Sequence, residues 1–285
     1  LTTAPAFQAG RLRGEWTAEQ VVRTALDRCN NLGTSWRAID VLGSTALADA
    51  RASDLRLRRG RLLGPLDGVP GFAKSIYDMQ GLPTTASSAE WARLFPNAVP
   101  RDAVEVARLR AAGAVVLGKT AADDFAYRGN GTSSHTGQVL NPYDASAQRT
   151  PGGSSAGAAV VVAGGMAFSA LGTDDGGSNR IPAQFTGVVG MKPSFGLVPR
   201  SGVIPTWPYL DTHGPLARSV IDAALMLWAL VGADGEDALS HDNGRDAMRA
   251  LVATSGANRT AVQPSFTPDA LRGRRLGIVS IHAPR

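Results

Sequence analysis

From residue 102 onward the sequence switches repeatedly between two periodicities, and this limits the possible folds more than any other feature. Asp102 opens a helical pattern with Val104, Ala107 and Ala111 on one face, Gly113 ends it, and 114-AVVL-117 reads as a buried strand. A helix over 156-AGAAVVVAG-164 and strands over 167-AFSALG-172 and 187-GVVGMK-192 follow. Helices and strands in alternation predict an α/β sheet covered by helices. Upstream, Thr17 and Gln20 have capping-box spacing, and Ala18, Val21, Val22, Ala25, Leu26 and Cys29 continue at helical period. A short extended piece, 38-AIDVL-42, precedes a helix capped by Ser44. Residues 233–268 are polar and weakly patterned, a loop, helical excursion or lid, and 276-LGIVSI-281 opens a further strand. A buried strand so near the last residue suggests the front part of something longer.

Composition narrows the function classes. The chain has 285 residues, 44% apolar and 19% charged, which suits a folded enzyme and excludes a disordered chain. Its net charge is +5, yet the only lysines are Lys74, Lys119 and Lys192. The arginine runs 56-RLRRGR-61 and 272-RGRR-275 lack interleaved aromatics, so nucleic-acid binding is not expected. The single cysteine, Cys29, allows neither a disulfide framework nor a zinc cluster, and it falls on the apolar face of a helix. The longest apolar run, 220-VIDAALMLWALVG-232, is too short to span a bilayer and reads as a buried helix. No signal peptide opens the chain, so a cytoplasmic location and no membrane partner are expected. Nothing fixes an oligomeric state.

Two motifs are misleading. Residues 113-GAVVLGKT-120 match the phosphate-loop pattern, but the intervening residues form an apolar strand where an open loop is required. Residues 153-GSSAG-157 place Ser155 at the nucleophile position of G-x-S-x-G, but a polar loop, 141-NPYDASAQRTP-151, precedes it where a hydrophobic strand is needed. The histidines at 135, 213, 241 and 282 have no helpful context. A Ser-His-Asp hydrolase with Ser155 as nucleophile stays open as an alternative.

A serine nucleophile needs a base, and a buried lysine can serve once burial makes its neutral form accessible. Arginine cannot. In a chain that writes its cations as arginine, Lys74 stands out within 68-GVPGFAKSIYDMQGLPTT-85, at what reads as a poorly solvated strand end. Downstream runs 152-GGSSAGAAVVVAGGMAFSALGTDDGGSNRIPAQFTGVVGMKPSFG-196. Together these segments resemble the amidase signature family of serine hydrolases, whose hallmark is Gly-Gly-Ser-Ser-Gly, a small-residue helix, and Gly-Thr-Asp-x-Gly-Gly-Ser-x-Arg. The resemblance covers residues 64 to 232, with 68-GVPGFAKS-75 as the lysine motif and 113-GAVVLGKT-120 and 141-NPYD-144 as further landmarks.

The resemblance implies a large mixed β-sheet covered on both faces by helices: a helical lead-in over 1–63, a catalytic core over 64–232, and a polar excursion over 233–285. It implies Ser178 as nucleophile, Ser154 as proton relay and Lys74 as base, with a cis peptide bond between Gly153 and Ser154. The N–H groups of Asp175, Gly176, Gly177 and Ser178 would form the oxyanion hole. Asp174 and Arg180 would form a buried ion pair bracing the turn, and Ser155 and Thr173 would hydrogen-bond around it. Lys119 and Lys192 would be structural. The chemistry is acyl transfer without metal or cofactor, on a small-molecule amide, ester or carbamate.

There are departures from the family pattern. Asp175 stands where the family has an uncharged residue, and it is expected to face outward and offer only its N–H. Ala156, Ser75 and Gln184 also depart without removing a catalytic group. Family members continue well beyond residue 285, so a C-terminal part is expected to be missing. The family's substrates run from aryl, fatty and peptide amides to ureas, carbamates and glutaminyl-tRNA amidation. A component of a tRNA amidotransferase and an inactive scaffold are the other readings. The segments 125-FAYRGN-130 and 205-PTWPYL-210 are expected to line a fairly apolar cleft.

Overall fold

The structure is a computed structural model that describes residues 3–144, 146–246, 272, 273 and 275. The first elements are helices α1 (Ala4–Leu12) and α2 (Ala18–Arg28), strand β1 (Ile39–Leu42), helix α3 (Ala46–Arg58), strand β2 (Pro70–Lys74), helices α4 (Ala89–Leu94) and α5 (Val104–Ala111), and strand β3 (Val115–Thr120). Then come the small hairpin β4 (Thr132–Ser133) and β5 (Gly137–Gln138), helix α6 (Ala156–Ala163), strand β6 (Ser169–Thr173), helix α7 (Arg180–Thr186), strands β7 (Val189–Gly190) and β8 (His213–Ala217), and helix α8 (Val220–Leu230).

Local chemistry explains several boundaries. The Thr17–Gln20 capping box forms as the spacing predicts, with both reciprocal bonds starting α2. Cys29 is fully buried and begins a single π-turn, Cys29–Gly33. Two expected starts shift. Thr45, not Ser44, precedes α3, and α5 begins at Val104 behind Ala103. Asp102 instead accepts the Gln80 N–H and pairs with Arg110.

Six strands form one mixed sheet in the order β1-β3-β2-β6-β8-β7. β3, β2 and β6 run parallel, and β1, β8 and β7 add antiparallel neighbours on the two sides. The lead-in thus contributes the edge strand β1 as well as helices. Helix α6 explains the run of small residues at its start: Ala156 to Val162 are all buried, and a Cβ on Gly157 would fall 2.4 Å from the Ala38 carbonyl oxygen. Only a side-chain-free residue permits so close an approach to the backbone. α6 packs on β2, β3, β6 and β8, and α8, the apolar run at 220–232, packs on β8 and α5.

The 113–120 segment is strand, not phosphate loop, and its Lys119 Nζ donates to the Pro83 carbonyl at 2.6 Å. Strand 187–192 shrinks to Val189–Gly190. β8 was not foreseen. Strand 276–281 and most of the 233–268 excursion lie outside the described residues. Among the described residues no helix is long and apolar enough to cross a membrane.

Candidate active site

Parallel strands leave their carboxyl ends at one edge of the sheet, where side chains from several strands converge. Here Lys74 ends β2 and Thr173 ends the neighbouring β6. Lys74 is fully buried, and its Nζ donates to Ser154 Oγ at 2.7 Å and to Thr173 Oγ1 at 2.8 Å. Burial strips water from the ammonium and pulls the Lys74 pKa down to about 8 from 10.5, against the opposing pull of Asp175, Asp123, Asp174 and Asp211. The peptide bond between Gly153 and Ser154 is cis, as the resemblance implies.

The turn after β6 is organised by Asp174. Its buried carboxylate accepts the N–H groups of Gly177 (2.7 Å), Asn179 (3.2 Å) and Arg180 (3.3 Å). Arg180 adds a two-pronged ion pair, Nε and Nη2 each 2.9 Å from an Asp174 oxygen. The pair is buried on one side only, because the Arg180 side chain is 54% exposed. Hydrogen bonds from these donors hold the Asp174 carboxyl below its ordinary pKa despite burial, which alone would raise it. Gly177 has φ +122°, and Gly176 opens onto free space. The Gly177 N–H is already committed to Asp174. Among the described residues, the N–H groups of Asp175, Gly176 and Ser178 have no acceptor.

Ser178 is half-buried at the end of this turn, and its carbonyl accepts the Ser155 N–H at 3.1 Å. The Ser155 hydroxyl is engaged within the turn: its Oγ accepts the Thr173 N–H and donates to Asn179 Oδ1 at 3.1 Å. Among the described histidines, His213 contacts Glu105, His135 lies 4.0 Å from Asp40, and His241 bonds the Phe195 carbonyl. None reaches either serine, so the Ser-His-Asp arrangement lacks its base among the described residues.

The largest difference from expectation is Asp175. Its side chain turns inward, with Oδ1 buried, and burial together with the neighbouring Asp211 raises its carboxyl pKa to about 7. Asp211 accepts the N–H groups of Thr206 (3.0 Å) and Trp207 (2.8 Å). Asp211 escaped sequence reading because it belongs to the approach to β8, itself unforeseen. Thr206 also lines a cavity of about 540 Å³ with Pro205, Phe125, Tyr127, Arg128 and Asp124. The two segments expected to form a cleft therefore meet, but the cleft is polar as well as aromatic.

A buried lysine is thus bonded to a serine hydroxyl beside a glycine turn that carries a second serine. The amidase family profile matches residues 20–268. The chain belongs to the amidase signature family. It is 44% identical to a glutamyl-tRNA(Gln) amidotransferase subunit of Acidothermus cellulolyticus over 80% of this chain and 44% of that protein. The native peptide amidase of Stenotrophomonas maltophilia superposes with a TM-score of 0.79 at 40% identity, covering 84% of this chain and 50% of that one. The corresponding glutamyl-tRNA(Gln) amidotransferase subunit of Thermotoga maritima superposes at 0.66 and 31% identity, over 78% and 46%. The chain spans about half the length of these amidase relatives.

Proposed function

We propose that the chain carries the catalytic centre of a serine hydrolase that cleaves the C–N bond of an amide through an acyl-enzyme on Ser178. The observation that carries this reading is the 2.7 Å bond from the buried Lys74 Nζ to Ser154 Oγ. A neutral Lys74 takes the Ser154 proton, and Ser154 takes the Ser178 proton as Ser178 Oγ attacks the carbonyl carbon. The N–H groups of Asp175, Gly176 and Ser178 receive the developing oxyanion; one such donor is typically worth roughly 3–4 kcal/mol in the transition state. The leaving amine takes a proton back from Ser154, and water, activated by the same chain in reverse, frees Ser178. Esters and carbamates present the same carbonyl and are within reach of this chemistry.

The test is fluorophosphonate labelling with peptide mapping. The label is expected on Ser178, greatly reduced in Lys74→Ala and Ser154→Ala and retained in Ser155→Ala. A label on Ser155 would overturn the reading.

A second reading is supported by the sequence relatives named as amidotransferase subunits: the centre would release ammonia from glutamine for transfer to a charged tRNA. Ammonia release from glutamine, compared with release from peptide and aryl amides, separates the two. Turnover of simple amides with none of glutamine would exclude the second reading.

A further inference from the structure

β6 and β8 are antiparallel with Thr173 opposite His213, and the Asp174 N–H bonds the Thr212 carbonyl at 2.8 Å. Continuing that register one more step sets Asp175 opposite Asp211. Two like charges directly across a strand pair repel, and two carboxylates sharing a site cannot both ionise freely. The surroundings decide which one keeps its charge. Asp211 is buried and receives two backbone N–H groups, whereas Asp175 Oδ1 is buried with no donor. A proton on Asp175, donated to Asp211, satisfies both groups.

We infer that Asp175 carries a proton shared with Asp211, and that this neutral carboxyl is a positioning group that keeps Lys74 in its base form. The inference rests on the proposed role of Lys74. Several titratable groups face the pair. Asp211 and Lys74 act on Asp175 from opposite directions, and His213 lies behind with Glu105 at its Nδ1. Asp123 and Asp174 face Lys74, Arg180 holds Asp174 from the solvent side, and the Tyr77 phenol packs edge-on against His213. Burial and the Asp211 carboxylate together push the Asp175 carboxyl up to about 7. Asp175 is also the strongest single charge favouring the Lys74 ammonium. Ionising Asp175 therefore holds the proton on Lys74 and places a negative charge beside the oxyanion turn. Both effects oppose attack by Ser178.

Two measurements test this. The first is difference infrared spectroscopy of the wild-type protein between pH 6 and pH 9. A protonated-carboxyl carbonyl band is expected at the lower pH and lost at the higher. Asp175→Asn and Asp211→Asn should each abolish it, and Glu105→Gln should leave it. The second is the pH dependence of fluorophosphonate labelling at Ser178. Both profiles should rise as Lys74 loses its proton, but Asp175→Asn should rise at lower pH and label several-fold faster than wild type between pH 7 and pH 8, where the wild-type Asp175 charge still holds the proton on Lys74. Absence of the band from wild type, its survival in both aspartate variants, or superimposable labelling profiles would overturn the inference. Failure to label Ser178 at any pH would instead defeat the proposed nucleophile and leave the infrared result to decide the proton's location.

Discussion

Lys74 and Lys119 lie on adjacent strands, both with no exposed surface, and burial pulls each down to about 8. What separates them is the acceptor. Lys119 Nζ donates to the Pro83 carbonyl and to Thr84 Oγ1. A carbonyl can only accept, and the Thr84 hydroxyl already gives its proton to Asp78 at 2.7 Å, so this site is built for an N–H donor and gains nothing from a neutral amine with a free lone pair. Lys74 faces two hydroxyls, Ser154 and Thr173. A hydroxyl can reverse its bond and donate to a neutral amine. Equal burial thus suits a brace in one case and, under the proposed mechanism, a base in the other.

Replacing each lysine by methionine should separate these roles. Lys74→Met is expected to lower the labelling rate of Ser178 by about 10²-fold or more, the usual scale for loss of a general base. Its unfolding midpoint should change less, because the two hydroxyls it leaves can turn their own protons to other acceptors and the desolvation cost of a buried amine is removed. Lys119→Met should do the reverse: labelling within a few-fold of wild type, and stability lower by about 1–3 kcal/mol in denaturant melts, because a buried carbonyl loses its donor. Equal kinetic losses in the two variants would erase the distinction.

A smaller effect is expected from pH. Both lysines titrate near 8 in the folded chain and near 10.5 when unfolded, so between those values the unfolded chain binds more protons. Stability should rise with pH across that window, and either methionine variant should flatten the rise. The smallest effect concerns the turn beside Lys74. Arg180→Ala leaves Asp174 its three backbone N–H donors, and the lost guanidinium is half in solvent. Labelling should change by less than about tenfold and stability by about 1 kcal/mol or less.

These contrasts also show what could be read from the residues. The pairing of Lys74 with Ser154 was legible through the resemblance of 68-GVPGFAKS-75 and 152-GGSSAG-157 to the family's motifs, while the residues by themselves marked only a lysine in an apolar segment of an arginine-rich chain. Helix α6 was legible from its small residues. Strand β8 was not: 213-HGPLA-217 carries Gly214 and Pro215, which argue against a strand flanked on both sides. With β8 unseen, its approach had no position, so Asp211 and His213 could not be placed and the direction of Asp175 could not be inferred. The Gly177 N–H was assigned to the oxyanion for a similar reason, since only the folded turn shows Asp174 claiming it.

The long spans within the centre have a kinetic consequence. The bonds from Lys74 to Ser154 and Thr173 join residues 80 and 99 apart in sequence. Helices such as α2 close over a few residues, but this centre exists only after distant strands have found each other, the slow kind of event in folding. Reactivity of Ser178 would therefore emerge late in refolding, after most of the helical signal has returned. A chain that labels has completed its central strand pairing, so labelling also counts finished molecules.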